Sequence, residues 1–569
     1  MNSLVSSNGK VGPVAALAIK DGLRQKNPTT STAVLLCQDL RTMGNGLNLE
    51  ELCRWLEQGN EDLQARVVAD LCHAAEEVRR AGEAGFQHVV LGLCALDYSE
   101  VALHAEARKA GLDPLGIVPV SLGGLCSQVK GEDRGTEKAK LLLAGAVAKA
   151  RAYPGSTPEN VKPCLAMLTQ KVSRRALFTL PPIEYQVVAS IDGRRCTAGE
   201  GCSLCVQACP RDAMASTGEF IEISRLGCDG CGNCLAVCPK DAVRLPGSSP
   251  AEIEAQIGAL LARDSIRSDD DPTGRGVLFT CRKGIPAVEK AGPGGVGASP
   301  NWLPLVVPCA GMVPASCIMS CVASGLPVGL TACGDACPPG QRALVEERVS
   351  YCRELLRSFG QAPELVSLVS PENEPDRSEA ITKPRGSDAT TAEAAAPLGG
   401  MFGPAALGLA LRTMKEKYGR PATPTLDHPG SPAGVVEVVP ELCTMCGVCA
   451  DACPTGALKI QRDDDQVELI FDGGRCVACE KCLPPCPESV AGAIGMKRTT
   501  DFARLTEKPV TLCRDREARC IACGAPVASS SMLSRLEAIL GKEETALVSQ
   551  ISRYCLSCKG NWAGQGNGV

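Results

Sequence analysis

Between residues 33 and 128 short apolar runs alternate with amphipathic stretches. AVLLC (Ala33–Cys37) and HVVLGLC (His88–Cys94) are uninterrupted apolar runs, short enough to be strands buried on both faces. NLEELCRWLEQG, AAEEVRRAGEAG and VALHAEARKAG carry their charges on one side of a helical period, and Gly111 closes the last of them. This alternation predicts a parallel sheet with helices on its faces, where ligands sit beyond the carboxyl ends of the strands. Cys37 and Cys94 fall at such ends. Residues Gly276–Ser370 repeat the plan in shorter pieces. GVLFTC ends at Cys281, PLVVPC at Cys309 and PVGLTAC at Cys333, and the helix RALVEERVSYCRELLRSFG follows. With Cys337 just beyond Cys333, four sulfurs share one rim of one sheet. A lone strand-end cysteine reads as a small buried hydrophobe, whereas four together read as a metal site.

Other patterns are weaker. FIEI (Phe220–Ile223) and VELIF (Val467–Phe471) predict short strands. VKPCLAMLTQKVS predicts a helix whose C-terminal end the Arg174–Arg175 pair complements, and SMLSRLEAILGKEE predicts another. From Ser370 to Pro440 the chain is rich in Pro, Ala, Gly, Glu and Thr and reads as a flexible linker, with only Pro404–Tyr418 helical, as a docking element. Asp269–Asp271 and the glycine run Gly292–Gly297 read as loops. The expected architecture is multidomain α/β plus α+β. It comprises an α/β domain at 30–185, a ferredoxin-like dicluster domain at 186–250, a second α/β domain at 272–370 and the linker at 371–433. A second ferredoxin-like dicluster domain at 434–500 and a zinc-knuckle-like segment at 508–562 complete it.

Composition narrows the chemistry. Lys and Arg total 59 against 64 Asp and Glu, a formal charge of −5 that argues against a chain built to coat nucleic acid. There is no run of 18 apolar residues, so no membrane span is expected. The N-terminus does not read as a secretory signal, and a cytoplasmic location follows. The 34 cysteines stand beside only 8 Phe, 6 Tyr and 3 Trp. In a reducing compartment such cysteine density points to metal rather than disulfides, and with so few aromatics inorganic groups must help hold the fold.

Spacing identifies two blocks. Cys443-x2-Cys446-x2-Cys449-x3-Cys453-Pro454 is followed by Cys476-x2-Cys479-x2-Cys482-x3-Cys486-Pro487. This is the bacterial two-cluster ferredoxin run, in which the fourth cysteine of each half ligates the other cluster. The expected sets are Cys443, Cys446, Cys449 with Cys486, and Cys476, Cys479, Cys482 with Cys453. The earlier block repeats it at Cys228-x2-Cys231-x2-Cys234-x3-Cys238-Pro239, after a stretched half, Cys196-x5-Cys202-x2-Cys205-x3-Cys209-Pro210. Here Cys196, Cys202, Cys205 would join Cys238, and Cys228, Cys231, Cys234 would join Cys209. Four [4Fe–4S] clusters are therefore expected. Near the C-terminus, Cys520-x2-Cys523 and Cys555-x2-Cys558 fit one tetrahedral zinc site, with a cluster as the alternative. No Ser-His-Asp arrangement, Walker loop or H-E-x-x-H motif appears among a mere four histidines.

With Cys281, Cys309, Cys333 and Cys337 in place, Gly276–Gly360 resembles the delta subunit of methyl-viologen-reducing hydrogenase. The resemblance implies one more cluster, [2Fe–2S] or [4Fe–4S]; the family's CxxC at the first strand end is CRKG here. Residues 33–130 resemble the N-terminal domain of the flavin-binding subunit of heterodisulfide reductase, which implies Cys37, Cys72, Cys94 and Cys126 as ligands of another cluster. That family's glycine-rich flavin-binding turn is absent from the sequence. The expected function is one-electron relay between a donor and an acceptor oxidoreductase subunit, with hydrogenase, heterodisulfide-reductase-like or formate dehydrogenase partners implied by the resemblance. The alternatives are an accessory or assembly factor for such an enzyme, or a zinc-dependent binding module. Cys53, Cys164, Cys317, Cys321, Cys352 and Cys513 are left unassigned.

Overall fold

The computed structural model describes residues 31–71, 75–95, 100–130, 133–165, 183–261, 275–290, 299–331, 337, 341–369, 400–463 and 465–563. Cys72, Cys333, the loop 292–297 and the acidic run 269–271 lie outside them.

The first α/β unit is a four-stranded parallel sheet in which Leu63–Val68, Thr32–Cys37, His88–Leu93 and Val118–Ser121 lie side by side. Thr32–Cys37 is buried along its whole length, as expected of a central strand covered on both faces. Asn48 opens the helix Leu49–Glu57 by accepting from the Glu51 N–H. Gly92 sits where a Cβ would come within 2.6 Å of Leu36 on the neighbouring strand and 2.8 Å of Leu122 on the short helix Leu122–Cys126, so that helix can pack on the sheet only because the side chain is absent. The second α/β unit has the same second–first–third–fourth order: Trp302–Val307, Gly276–Cys281, Val328–Thr331 and Val366–Val369. The long helix Arg134–Arg151 packs between the units, against the helix Pro250–Leu261 and the strand Trp302–Val307. From it the buried Lys138 donates to the Ser299 carbonyl at 2.7 Å.

Three expectations change. Val161–Leu165 is a strand paired antiparallel with Ile183–Val187, not the start of a helix. Pro163 withholds an amide N–H from a helix interior, and the distant partner strand decides the outcome. The expected linker is folded from residue 400 onward. Its helix Pro404–Tyr418 buries Leu407, Ala410, Leu411 and Met414 against the helix Ala315–Ala323. Gly408 lets it approach the Leu505 carbonyl, where a Cβ would lie at 2.5 Å. The Ser316 hydroxyl donates to the Met401 carbonyl at 2.8 Å, and the Met401 N–H donates to Glu254 at 2.7 Å. Finally, the C-terminal segment is no separate module. Val510–Arg519 pairs with Gln466–Phe471 and with Pro526–Ser529, so the sheet Leu458–Arg462, Gln466–Phe471, Val510–Arg519, Pro526–Ser529 crosses the expected boundary at 500–508.

The dicluster regions consist of ribbons and single helical turns. In the first, Ser190–Ile191 pairs with Val243–Arg244 and Met214–Ser216 with Ile221–Ile223. In the second, Val435–Val438 pairs with Ile494–Lys497. No helix among the described residues is long and apolar enough to cross a membrane.

Candidate metal centres

In each dicluster motif the residue directly before the second cysteine is left-handed: Gly201 (φ 84°), Gly230 (φ 64°), Met445 (φ 52°) and Ala478 (φ 50°). That turn brings consecutive thiols to one side of the loop. It also explains the stretched half, where the short 3₁₀ turn Ala198–Glu200 ends at Gly201 and delivers Cys202 as Gly230 delivers Cys231. Gly232 and Gly447, again left-handed, then start single helical turns carrying Cys234 and Cys449.

These turns leave sulfur-lined hollows. One of about 400 Å³, open in part to solvent, is lined by Cys443, Cys446, Cys449 and Cys486 with Val438, Ile460 and Leu469. A second, of about 330 Å³, is lined by Cys453, Cys476, Cys479 and Cys482. A third, of about 350 Å³, is lined by Cys209, Cys228, Cys231 and Cys234. In the fourth set Cys205 is surrounded by Cys202, Cys238 and Cys196. In three sets thiols from both halves of a motif thus line one hollow, and in the fourth they are electrostatic neighbours. Burial, reinforced by the neighbouring thiols, pushes Cys205, Cys449 and Cys482 up to about 12, and burial pushes Cys231 and Cys476 up to about 11. Four thiolates cannot share such a hollow without a cationic centre among them, so the donor set and its space fit an iron–sulfur cluster. Backbone N–H groups of Ala213 and Ala242 point at Cys209 and Cys238, both at 3.3 Å.

Cys513, unassigned on sequence, lies on the central strand of the C-terminal sheet opposite Leu469 and hydrogen-bonds Cys443. That contact draws the Cys443 thiol down to about 6. No spacing rule links them; the strand pairing does.

In the second α/β unit Cys281 has Cys309 and Cys337 as electrostatic neighbours. The Gly311 N–H is directed at the Cys309 sulfur at 3.4 Å. In the first unit the structure gathers Cys37, Asp39 and Cys94, with ligand atoms within 4.8 Å of one another. Asp39 escaped the sequence reading, although it stands in the 3₁₀ turn that leaves the strand ending at Cys37. Cys126 is not part of that group. It is fully buried, and burial pushes its thiol up to about 12 while Lys138 opposes the shift.

At the C-terminus Cys520, Cys523, Cys555 and Cys558 place their sulfurs within 4.8 Å of one another, and Cys523 and Cys555 are 3.5 Å apart. Among the described residues no other four cysteines gather so closely. Zn–S bonds of about 2.3 Å in a tetrahedron would put sulfurs about 3.8 Å apart, a spacing inside the 4.8 Å that bounds this set. The left-handed Gly524 donates its N–H to the Cys520 carbonyl at 2.8 Å, and the Ile521 N–H reaches the Arg553 carbonyl at 2.9 Å.

Two stretches match known families: residues 189–239 match a 4Fe-4S dicluster domain and residues 436–459 a 4Fe-4S binding domain. The chain therefore contains two ferredoxin-type 4Fe–4S domains. It is similar to the polyferredoxin protein MvhB of Methanothermobacter marburgensis, at 37% identity over 71 residues, 10% of this chain and 17% of the relative. The matched region thus spans less than a fifth of the length of that relative.

Proposed function

We propose that this chain relays single electrons between a donor and an acceptor oxidoreductase subunit. What supports this reading is that successive cysteine sets lie within electrostatic reach of one another, two of the pairs inside a dicluster domain and two across domain boundaries. Cys449 neighbours Cys482, Cys479 neighbours Cys202, Cys205 neighbours Cys234, and Cys231 neighbours Cys309. When bound, iron–sulfur clusters take up and release one electron at a time. The chain's own residues hold the spacing, wall the hollows with apolar side chains such as Ile460 and Leu469, and aim N–H donors at the sulfurs. The sixteen dicluster cysteines would hold four clusters, and Cys281, Cys309, Cys333 and Cys337 a fifth. Cys37 and Cys94, with Cys72 and Cys126, would serve a further centre, and the four C-terminal cysteines structural zinc. Hydrogenase, heterodisulfide-reductase-like and formate dehydrogenase subunits are the proposed partners.

Anaerobic purification followed by iron, sulfide and zinc analysis and a spin-resonance redox titration tests this. Reversible one-electron reduction with all iron retained is expected. Net transfer of iron and sulfide to an apo-enzyme would instead identify an assembly factor, and a colourless zinc protein would end both readings.

A further inference from the structure

A buried pair of amides joins the first dicluster domain to the second α/β unit. Asn233, 2% exposed, stands between Cys231 and Cys234. Its Nδ2 donates to Oε1 of Gln341, 4% exposed, at 2.8 Å. The same Gln341 oxygen accepts from the Cys309 thiol at 3.5 Å. Around them the fit is tight: a Cβ on Gly311 would lie 2.8 Å from Asn233 Oδ1, and one on Gly232 would lie 3.0 Å from the Met312 sulfur. The turn that carries Cys309 is clamped by the half-buried Arg348, which donates to the Gly311 and Val313 carbonyls, each at 2.7 Å. One atom does not fit. Asn233 Oδ1 is buried with no partner.

That orphan acceptor and the thiol donor share one explanation. A metal-bound Cys309 is a thiolate with no proton to give, so the Gln341 oxygen facing it becomes one acceptor against another. Rotating the Gln341 amide by half a turn presents Nε2–H to the sulfur without changing volume. Asn233 must then rotate too, offering Oδ1 to the second Gln341 N–H. The orphaned oxygen is thereby replaced by a donor on the loop that carries Cys231 and Cys234.

We propose that Asn233 and Gln341 are positioning residues that form an amide bridge between the Cys228 and Cys309 centres, with the amides reversed in the metal-loaded protein so that Gln341 donates to the Cys309 thiolate. The inference rests on the reading of Cys281, Cys309, Cys333 and Cys337 as a redox centre. A donor to a ligating sulfur stabilises the reduced, more negative state and raises the potential.

The test uses the full-length, anaerobically loaded protein with Gln341→Met, which removes the donor, and Gln341→Glu, which presents an acceptor. The midpoint potential of the Cys309 centre should fall in both, further in Gln341→Glu, while the Cys443 and Cys476 centres stay unchanged. Beyond the coupling from the Gly311 N–H, wild type should show one further deuterium-exchangeable proton coupling at the Cys309 centre, which Gln341→Met abolishes. Should a Gln341 variant lose the centre, Asn233→Leu provides the second test: the proton coupling at Cys309 persists, and the potential of the Cys228 centre moves. An unchanged potential and coupling in Gln341→Met with the centre retained overturns the bridge alone. If Cys281→Ala leaves the iron content equal to wild type, the centre itself is refuted, and the bridge with it.

Discussion

The two dicluster domains carry the same chemistry in different settings. The first, at 186–250, has only two short ribbons of its own, and Val188, Ala189, Met214, Ile221, Leu235 and Leu245 join the large core shared with both α/β units. The second owns a separate core of Val436, Leu458, Val467, Leu469 and Phe471, and its hairpin grows into a four-stranded sheet with the C-terminal strands. The turns differ as well: glycine supplies the left-handed residue twice in the first domain, whereas Met445 and Ala478 adopt it in the second. Cluster-binding loops thus need the same backbone shape everywhere, but what holds that shape is local. Neighbours brace the first domain; its own sheet braces the second.

The largest test removes the metal. After chelation and oxidation, hydrogen exchange should rise throughout the ribbons Ser190–Ile191, Val243–Arg244, Met214–Ser216 and Ile221–Ile223. The sheet of Leu458–Arg462, Gln466–Phe471 and Val510–Arg519 should stay protected, because isolated two-stranded ribbons are marginal and larger sheets are not. Equal loss of protection in both domains would erase the contrast.

Next come single ligands. Cys449→Ala and Cys234→Ala should each remove one cluster's iron from the total, and Cys449→Ala should also destabilise the second domain, since metal binding there is folding energy. Iron content and visible spectra read this out, and unchanged values would contradict the crossed groupings.

Backbone strain separates the domains more finely. Gly230→Ala combines a left-handed φ with a Cβ 2.5 Å from the Val187 carbonyl, and should cost about 1–3 kcal/mol in thermal or denaturant unfolding. Ala478→Gly relieves the same strain in the second domain and should raise stability by less than about 1 kcal/mol, since glycine's unfolded-state entropy offsets the gain.

The smallest effect is expected at the brace between the C-terminal helix Ser530–Ile551 and the loop after Cys486. Arg535 grips Glu488 there with two contacts, at 2.9 and 3.0 Å. Arg535 is half exposed, so Arg535→Ala should cost no more than about 1 kcal/mol and release no iron.

Much of the site could be read along the chain because its grammar is short-range. Two residues between cysteines and one left-handed turn suffice to bring thiols together, and the Cys-Pro endings carry the crossing to the other half. The strand–helix alternation of Ala33–Cys94 and Gly276–Ser370 is equally local, since burial on both faces writes itself as an uninterrupted apolar run. Val161–Leu165 went the other way: its helical look was overruled by Ile183–Val187, a partner some twenty residues on. Asp39 against Cys94, Cys513 against Cys443 and Asn233 against Gln341 are meetings of residues far apart in sequence, made by strand pairing and domain packing. Spacing determined which thiols belong together. Only tertiary packing decided which groups of thiols adjoin and which polar side chains stand between them, because such contacts depend on burial shared by distant segments.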